Sequence, residues 1–134
     1  MFVDTSAIVA ILTEEPEADE LALRLSKAAR RYTSPVVRLE ASVVLATRLD
    51  IAPTAAQSLF DDFVQTADVS VVHLSDSIGR LAVEAFESFG KERHPARLNI
   101  ADCLSYACAK SYRVPLLYKG SDFSQTDIND NTRE

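Results

Sequence analysis

The feature that most constrains this chain is an alternation. Short apolar or β-branched runs take turns with longer stretches whose apolar residues recur every three or four positions. Met1 to Val3, Tyr32 to Pro35, Val69 to Leu74 and Pro115 to Tyr118 read as strands, the second ending in a turn. Between them, helical spacing predicts a helix opened by Thr5 or Ser6 and running through Leu12, and another from Glu17 to Arg30. Further helices are predicted from Val36 to Asp50, from Ala52-Pro53-Thr54 through Val64, from Asp76 to Phe89 and from Asn99 to Tyr112. Asp76 reads as a helix cap and Gly90 as a stop. Strands separated by helices imply an α/β domain with a mostly parallel central sheet covered on both faces.

At 134 residues the chain reads as a single domain, residues 1–134, with a polar tail from about residue 129 expected to fray. The net charge of −6 argues against binding nucleic acid through bulk charge. It leaves room for an enzyme that holds nucleic acid through metal ions and a local basic rim. Only Gly79, Gly90 and Gly120 are available, so no glycine-rich phosphate loop can be built. No apolar run is long enough to span a membrane, and Asp4 interrupts the only apolar N-terminal stretch. Cys103 and Cys108 fall on different parts of one helix surface, too badly oriented for a disulfide. A reduced, cytoplasmic protein is expected.

Asp4 stands at the carboxyl end of the first strand, the end that borders the ligand crevice in an open α/β sheet. Its plainer role is the N-cap of the following helix. Glu40 has Val36, Val37, Val43 and Val44 as its helical neighbours, which puts a carboxylate in a valine stripe expected to face the core. A buried, unpaired carboxylate needs a proton, a cation or a partner. The alternative is a helix rotated so that Glu40 reaches solvent. Asp102 lies in the first turn of its helix, where the helix dipole favours an acid. Asn99, one turn earlier on the same face, is placed to hold that carboxylate or a ligand. Asp122 follows the last strand much as Asp4 follows the first, and taken alone it is a turn residue.

Brought together, such acids repel by about 4 kcal/mol per pair at about 4 Å and an effective dielectric near 20. They hold together only with extra protons or a central cation. Carboxylate oxygens with water select hard ions, Mg²⁺ or Mn²⁺. Such ions bind a phosphodiester and activate water.

Asp4 in FVDTSAIVAIL, Glu40 in SPVVRLEAS, Asp102 in LNIADCLSYACAK and Asp122 in LLYKGSDFSQTDI together resemble the acidic signature of PIN-domain ribonucleases. The resemblance runs along essentially the whole chain and is closest to VapC-type toxins of bacterial toxin–antitoxin pairs. It implies a Rossmann-like three-layer sandwich, an acidic pocket for Mg²⁺ or Mn²⁺, and endonucleolytic cleavage of RNA. It implies Asp4, Glu40, Asp102 and Asp122 as the acidic set, ligating directly or through water, with Ser6 or Thr5 and Asn99 as polar support. It also implies a homodimer and a small antitoxin protein that blocks the pocket. Asp127 is an extra acid whose family equivalent varies; its plainer reading is a solvated tail.

Lys91, Arg93, His94 and Arg97 form a basic loop just before the Asp102 helix, and Lys119 stands near Asp122. Lys91, Arg93, Arg97 and Lys119 are candidate contacts to RNA phosphates. His73 and His94 have no partner that would make either catalytic. Arg24, Lys27, Arg30 and Arg31 read as a solvated helix face, and the two cysteines as core. Two other functions fit parts of the pattern. One is phosphotransfer onto an aspartate after the first strand, which would not require Glu40. The other is a non-catalytic interaction module with the same fold.

Overall fold

A computed structural model describes residues 1–128. Its order is β1 (Phe2–Val3), α1 (Thr5–Leu12), α2 (Ala18–Ser26), β2 (Tyr32–Thr33), α3 (Pro35–Leu49), α4 (Pro53–Thr66), β3 (Ser70–Val71), α5 (Asp76–Phe89), α6 (Ile100–Tyr112) and β4 (Leu116–Leu117). A 3₁₀ turn over Phe123–Gln125 follows. The proposed tail from about residue 129 lies outside the described residues. Among the described residues, no helix is long and apolar enough to cross a membrane.

All strand pairings are parallel, in the order β3-β2-β1-β4. Successive strand residues point to opposite faces. Phe2 and Val3 are both 0% exposed, as are Leu116 and Leu117, so β1 and β4 are covered on both sides. The chain therefore has helices on each face of its sheet, the α/β arrangement expected of parallel strands. β3 pairs only with β2 and its two residues are exposed. The strand expected over Val69 to Leu74 is confined to Ser70–Val71, a two-residue strand like each of the others. The order places β4 on the opposite side of β1 from β2 and β3, so the sheet changes direction between β1 and β4. Ligands of open α/β sheets bind outside the strand ends at such a point.

Several helix ends differ from expectation for local reasons. α2 stops at Ser26 instead of Arg30. Arg31 donates to the carbonyls of Ser26 and Ala28, which further helical N–H groups would otherwise take, and reaches Ala67 O at 2.8 Å. Arg31 is thus a tie to the end of α4, not part of a solvated face. Ser75, rather than Asp76, caps α5 by accepting from Ile78 N, while Asp76 pairs with Arg80 on the surface. Cys103 and Cys108 are buried free thiols, and burial pushes them up to about 11 and about 12.

Gly90 ends α5 with an ordinary φ of −69°, so its lack of a side chain serves space rather than conformation. A Cβ there would lie 2.3 Å from Phe86 O and 2.7 Å from the Phe86 ring. Gly90→Ala should lower stability by about 1–3 kcal/mol. Gly79, inside α5 with open space around it, should gain about 1 kcal/mol on becoming Ala. Urea midpoints of the two variants moving the same way would refute this account.

Candidate active site

Asp4 directly follows β1 and is the N-cap of α1, accepting from Ser6 N at 3.1 Å. Its role as a cap and its place at the strand end are therefore the same geometry. Ser6 Oγ donates to Asp4 Oδ2 at 2.7 Å, and Ser105 Oγ donates to Oδ1 at 2.9 Å. The Lys119 N–H donates to Ser6 Oγ at 3.0 Å, so the backbone beyond β4 fixes the serine that orients the acid. Asp4 is buried, and desolvation raises its pKa despite these donors.

Asp102 sits at the third position of α6 in a reciprocal cap. Its N–H donates to Asn99 Oδ1 at 2.8 Å, and the Asn99 N–H donates to Asp102 Oδ2 at 3.1 Å. Asn99 thus supports the acid through its backbone, while its side chain serves the helix end. Burial pushes Asp102 up to about 7. The negative charges of Asp4, Asp122 and Glu40 push the same way, which places all of them within electrostatic reach.

α3 presents Val37, Ala41 and Leu45 to the core. Glu40 lies one residue off that line and is half-buried, with Val36 and Val44 beside it, while Val43 is 50% exposed. The valine stripe is therefore not a single core face. The helix is rotated so that Glu40 faces a cleft of about 350 Å³ that Asp4, Thr5, Ser6 and Asp102 also line. Desolvation raises the Glu40 pKa, and the nearby Asp4 charge adds to it. The Thr5 hydroxyl eases that shift by proximity, yet its buried oxygen closes no hydrogen bond.

Asp122 is exposed, just before the 3₁₀ turn. Asp127 is drawn elsewhere: it accepts from Tyr106 Oη and pairs with Lys110 at 3.2 Å. Lys91, Arg93 and Arg97 are exposed on the loop before α6. His94 is half-buried, with Nδ1 accepting from Ala96 N and its ring edge-on to Phe89. Lys119 lines the cleft, but its ammonium is engaged by Glu15 and Glu17.

Three residues of the site, Ser105 behind Asp4, and Glu15 and Arg48 in the cleft, carried no role in the sequence. Ser105 lies one turn after Asp102, and Arg48 two turns after Glu40, so helical spacing could have found both. Glu15, after the turn that ends α1, carried no such signal.

Among the described residues, no three Asp, Glu, His or Cys side chains converge closely enough to hold one ion between them. The donor chemistry still fits a divalent ion of the Mg²⁺ kind. Every candidate ligand is a hard carboxylate oxygen, and such an ion commonly keeps several waters and takes one or two carboxylates.

The family described as PIN domain matches residues 1–129. A VapC ribonuclease of Rhizobium meliloti is 45% identical over 140 residues, covering 95% of this chain and 98% of that protein. Ribonuclease VapC28 of Mycobacterium tuberculosis is 42% identical over 129 residues, covering 96% and 95%. The crystal structure of Mycobacterium tuberculosis VapC20, described as a toxin cleaving the sarcin-ricin loop, superposes with a TM-score of 0.69 at 24% identity, covering 92% of each chain. That last likeness concerns the fold.

Proposed function

The chain belongs to the PIN-domain family, and on that premise we propose that it is a VapC-type toxin, a metal-dependent endoribonuclease acting in the acidic cleft. One observation carries the reading. Asp4, Glu40 and Asp102, from three separate elements, face one cleft at the sheet's switch point, and Asp122 lies within their electrostatic reach. An aspartate used for phosphotransfer would not need that company. Ribonuclease relatives at 45% and 42% identity support the chemistry.

Asp4 and Asp102 would hold Mg²⁺ or Mn²⁺, with Glu40 and Asp122 contributing directly or through water. The bound ion would supply Lewis acidity toward the phosphodiester and lower the pKa of an attacking water. Ser6 and Ser105 fix both oxygens of Asp4, so its orientation is set before substrate arrives. Glu40 has no such committed donors and a raised pKa, which suits it to take the water's proton. In-line attack on phosphorus forms the new bond to water oxygen and breaks the bond to the 3′ oxygen. Lys91, Arg93 and Arg97, exposed on the loop before α6, would hold RNA phosphates.

A cognate antitoxin protein and a homodimer belong to the same reading. An apolar groove of about 450 Å³ between α5 and α6 supports a protein contact. Val83 and Ile100, on its walls, are 71% and 76% exposed.

The deciding experiment incubates the purified, antitoxin-free chain with a mixed RNA pool in Mg²⁺, in Mn²⁺ and in EDTA. Cutting is expected with either metal and not with EDTA, leaving 5′-phosphate and 3′-hydroxyl ends. A 2′,3′-cyclic phosphate product would contradict the mechanism, because it requires attack by the RNA's own 2′-hydroxyl.

A further inference from the structure

Two cations line the same cleft as Asp4, Glu40 and Asp102, yet they pair elsewhere. Lys119 Nζ lies 2.7 Å from Glu15 Oε1 and 3.2 Å from Glu17 Oε2, and Arg48 Nη1 lies 3.5 Å from the same Glu15 oxygen. Among the described residues, no ion pair joins a lysine or arginine to Asp4, Glu40 or Asp102. Opposite charges in one cleft attract each other, so cations on long side chains stay off the acid set only where a nearer carboxylate holds them.

Glu15 is built to engage them. Its N–H donates to Ala10 O at 3.0 Å, so the end of α1 fixes its backbone. Lys119, and to a lesser degree Arg48, hold its carboxyl below the usual range, so it stays ionised when the cleft acids begin to take up protons. Lys119 is thereby held at two points. Its N–H serves Ser6 and through it Asp4, while its ammonium is drawn to the rim.

We propose that Glu15 is a positioning residue that sequesters Lys119 and Arg48 at the rim and so keeps the acid set open to a divalent ion. The inference rests on the metal-dependent reading above. With Glu15 neutral, Arg48 loses its ion-pair partner and Lys119 keeps only Glu17, so both can turn into the cleft and compete with the ion. Glu15 need not touch the ion to govern its affinity.

The test is Mn²⁺ binding by calorimetry at neutral pH without RNA, on proteins with matched melting curves. Wild type, Glu15→Gln, the double variant Arg48→Met/Lys119→Met and the triple variant combining all three are compared. Glu15→Gln is expected to weaken Mn²⁺ binding about tenfold, the scale seen when a partner outside the ligand set is lost. Removing both cations should restore that loss in the Glu15→Gln background, but change affinity less than about threefold when Glu15 is present. Long-range field effects add, whereas sequestration does not. Equal effects of cation removal in the two backgrounds would overturn the proposal, as would unchanged binding by Glu15→Gln. A wild-type chain that binds no Mn²⁺ would instead overturn the metal-dependent reading, and this inference with it.

Discussion

Replacing Asp4 by Asn is expected to cut RNA cleavage by about a thousandfold while leaving the melting temperature unchanged or higher. The loss would reflect several kcal/mol of transition-state stabilisation that a charged ligand gives and a neutral amide does not. The fold should tolerate the change for two reasons visible at the site. Asn caps a helix about as well as Asp, so the bond from Ser6 N survives. Asp4 is also buried, with its pKa raised by desolvation, so its charge costs the folded state stability. The measurement pairs single-turnover cleavage in saturating Mn²⁺ with a thermal melt. Retained cleavage by a folded Asp4→Asn chain would remove the cleft from the chemistry.

The metal-free protein should lose stability as pH rises from 5 to 8, by about 2–3 kcal/mol. The sign follows from Asp102. Its carboxyl titrates near 3.8 when unfolded and at about 7 in the fold, mainly because it is buried. Between those values the folded chain holds a proton that the unfolded chain has released. Raising the pH therefore favours unfolding until the folded carboxyl has also ionised, above about 7. Asp4 and Glu40 shift in the same direction and add to the trend. The melting temperature in EDTA should fall by about 10 °C across this range. Mn²⁺ should recover most of the loss at pH 8 and little at pH 5, where the acids hold protons. A flat profile in EDTA, or a rising one, would mean that the acids are not confined together as described.

Much of the fold was legible because it rests on local pattern. The alternation of elements requires a parallel sheet, and all four strands appeared where the short apolar runs stand. The reach of each strand was not legible, because strand length depends on partners. Each of the four strands spans two residues, whatever the length of the β-branched or apolar run around it. Helix ends failed similarly at α2, where Arg31 takes carbonyls from across a turn.

At the site, Asp4, Glu40, Asp102 and Asp122 stood out as a set and through the family resemblance, since Asp4, Asp102 and Asp122 each have a local role as cap, first-turn acid or turn residue and only Glu40 among its valines lacks one. That Ser105 joins Ser6 in holding Asp4, and which acid holds Lys119, emerged only in three dimensions. Ser105 lies 101 residues from Asp4, and Lys119 lies 104 from Glu15. No periodicity links such positions; the packing of α6 on β1 brings Ser105 to Asp4, and the register of β4 beside β1 brings Lys119 to the end of α1. Asp127 makes the same point in reverse, because Tyr106 and Lys110, one and two turns beyond Asp102 on α6, claim it. The order of residues was enough to name Asp4, Glu40, Asp102 and Lys119 among the charges that line the cleft, but not Glu15 or Arg48. Packing chose which of them meet, because pairing over a few ångströms depends on how separate elements come together.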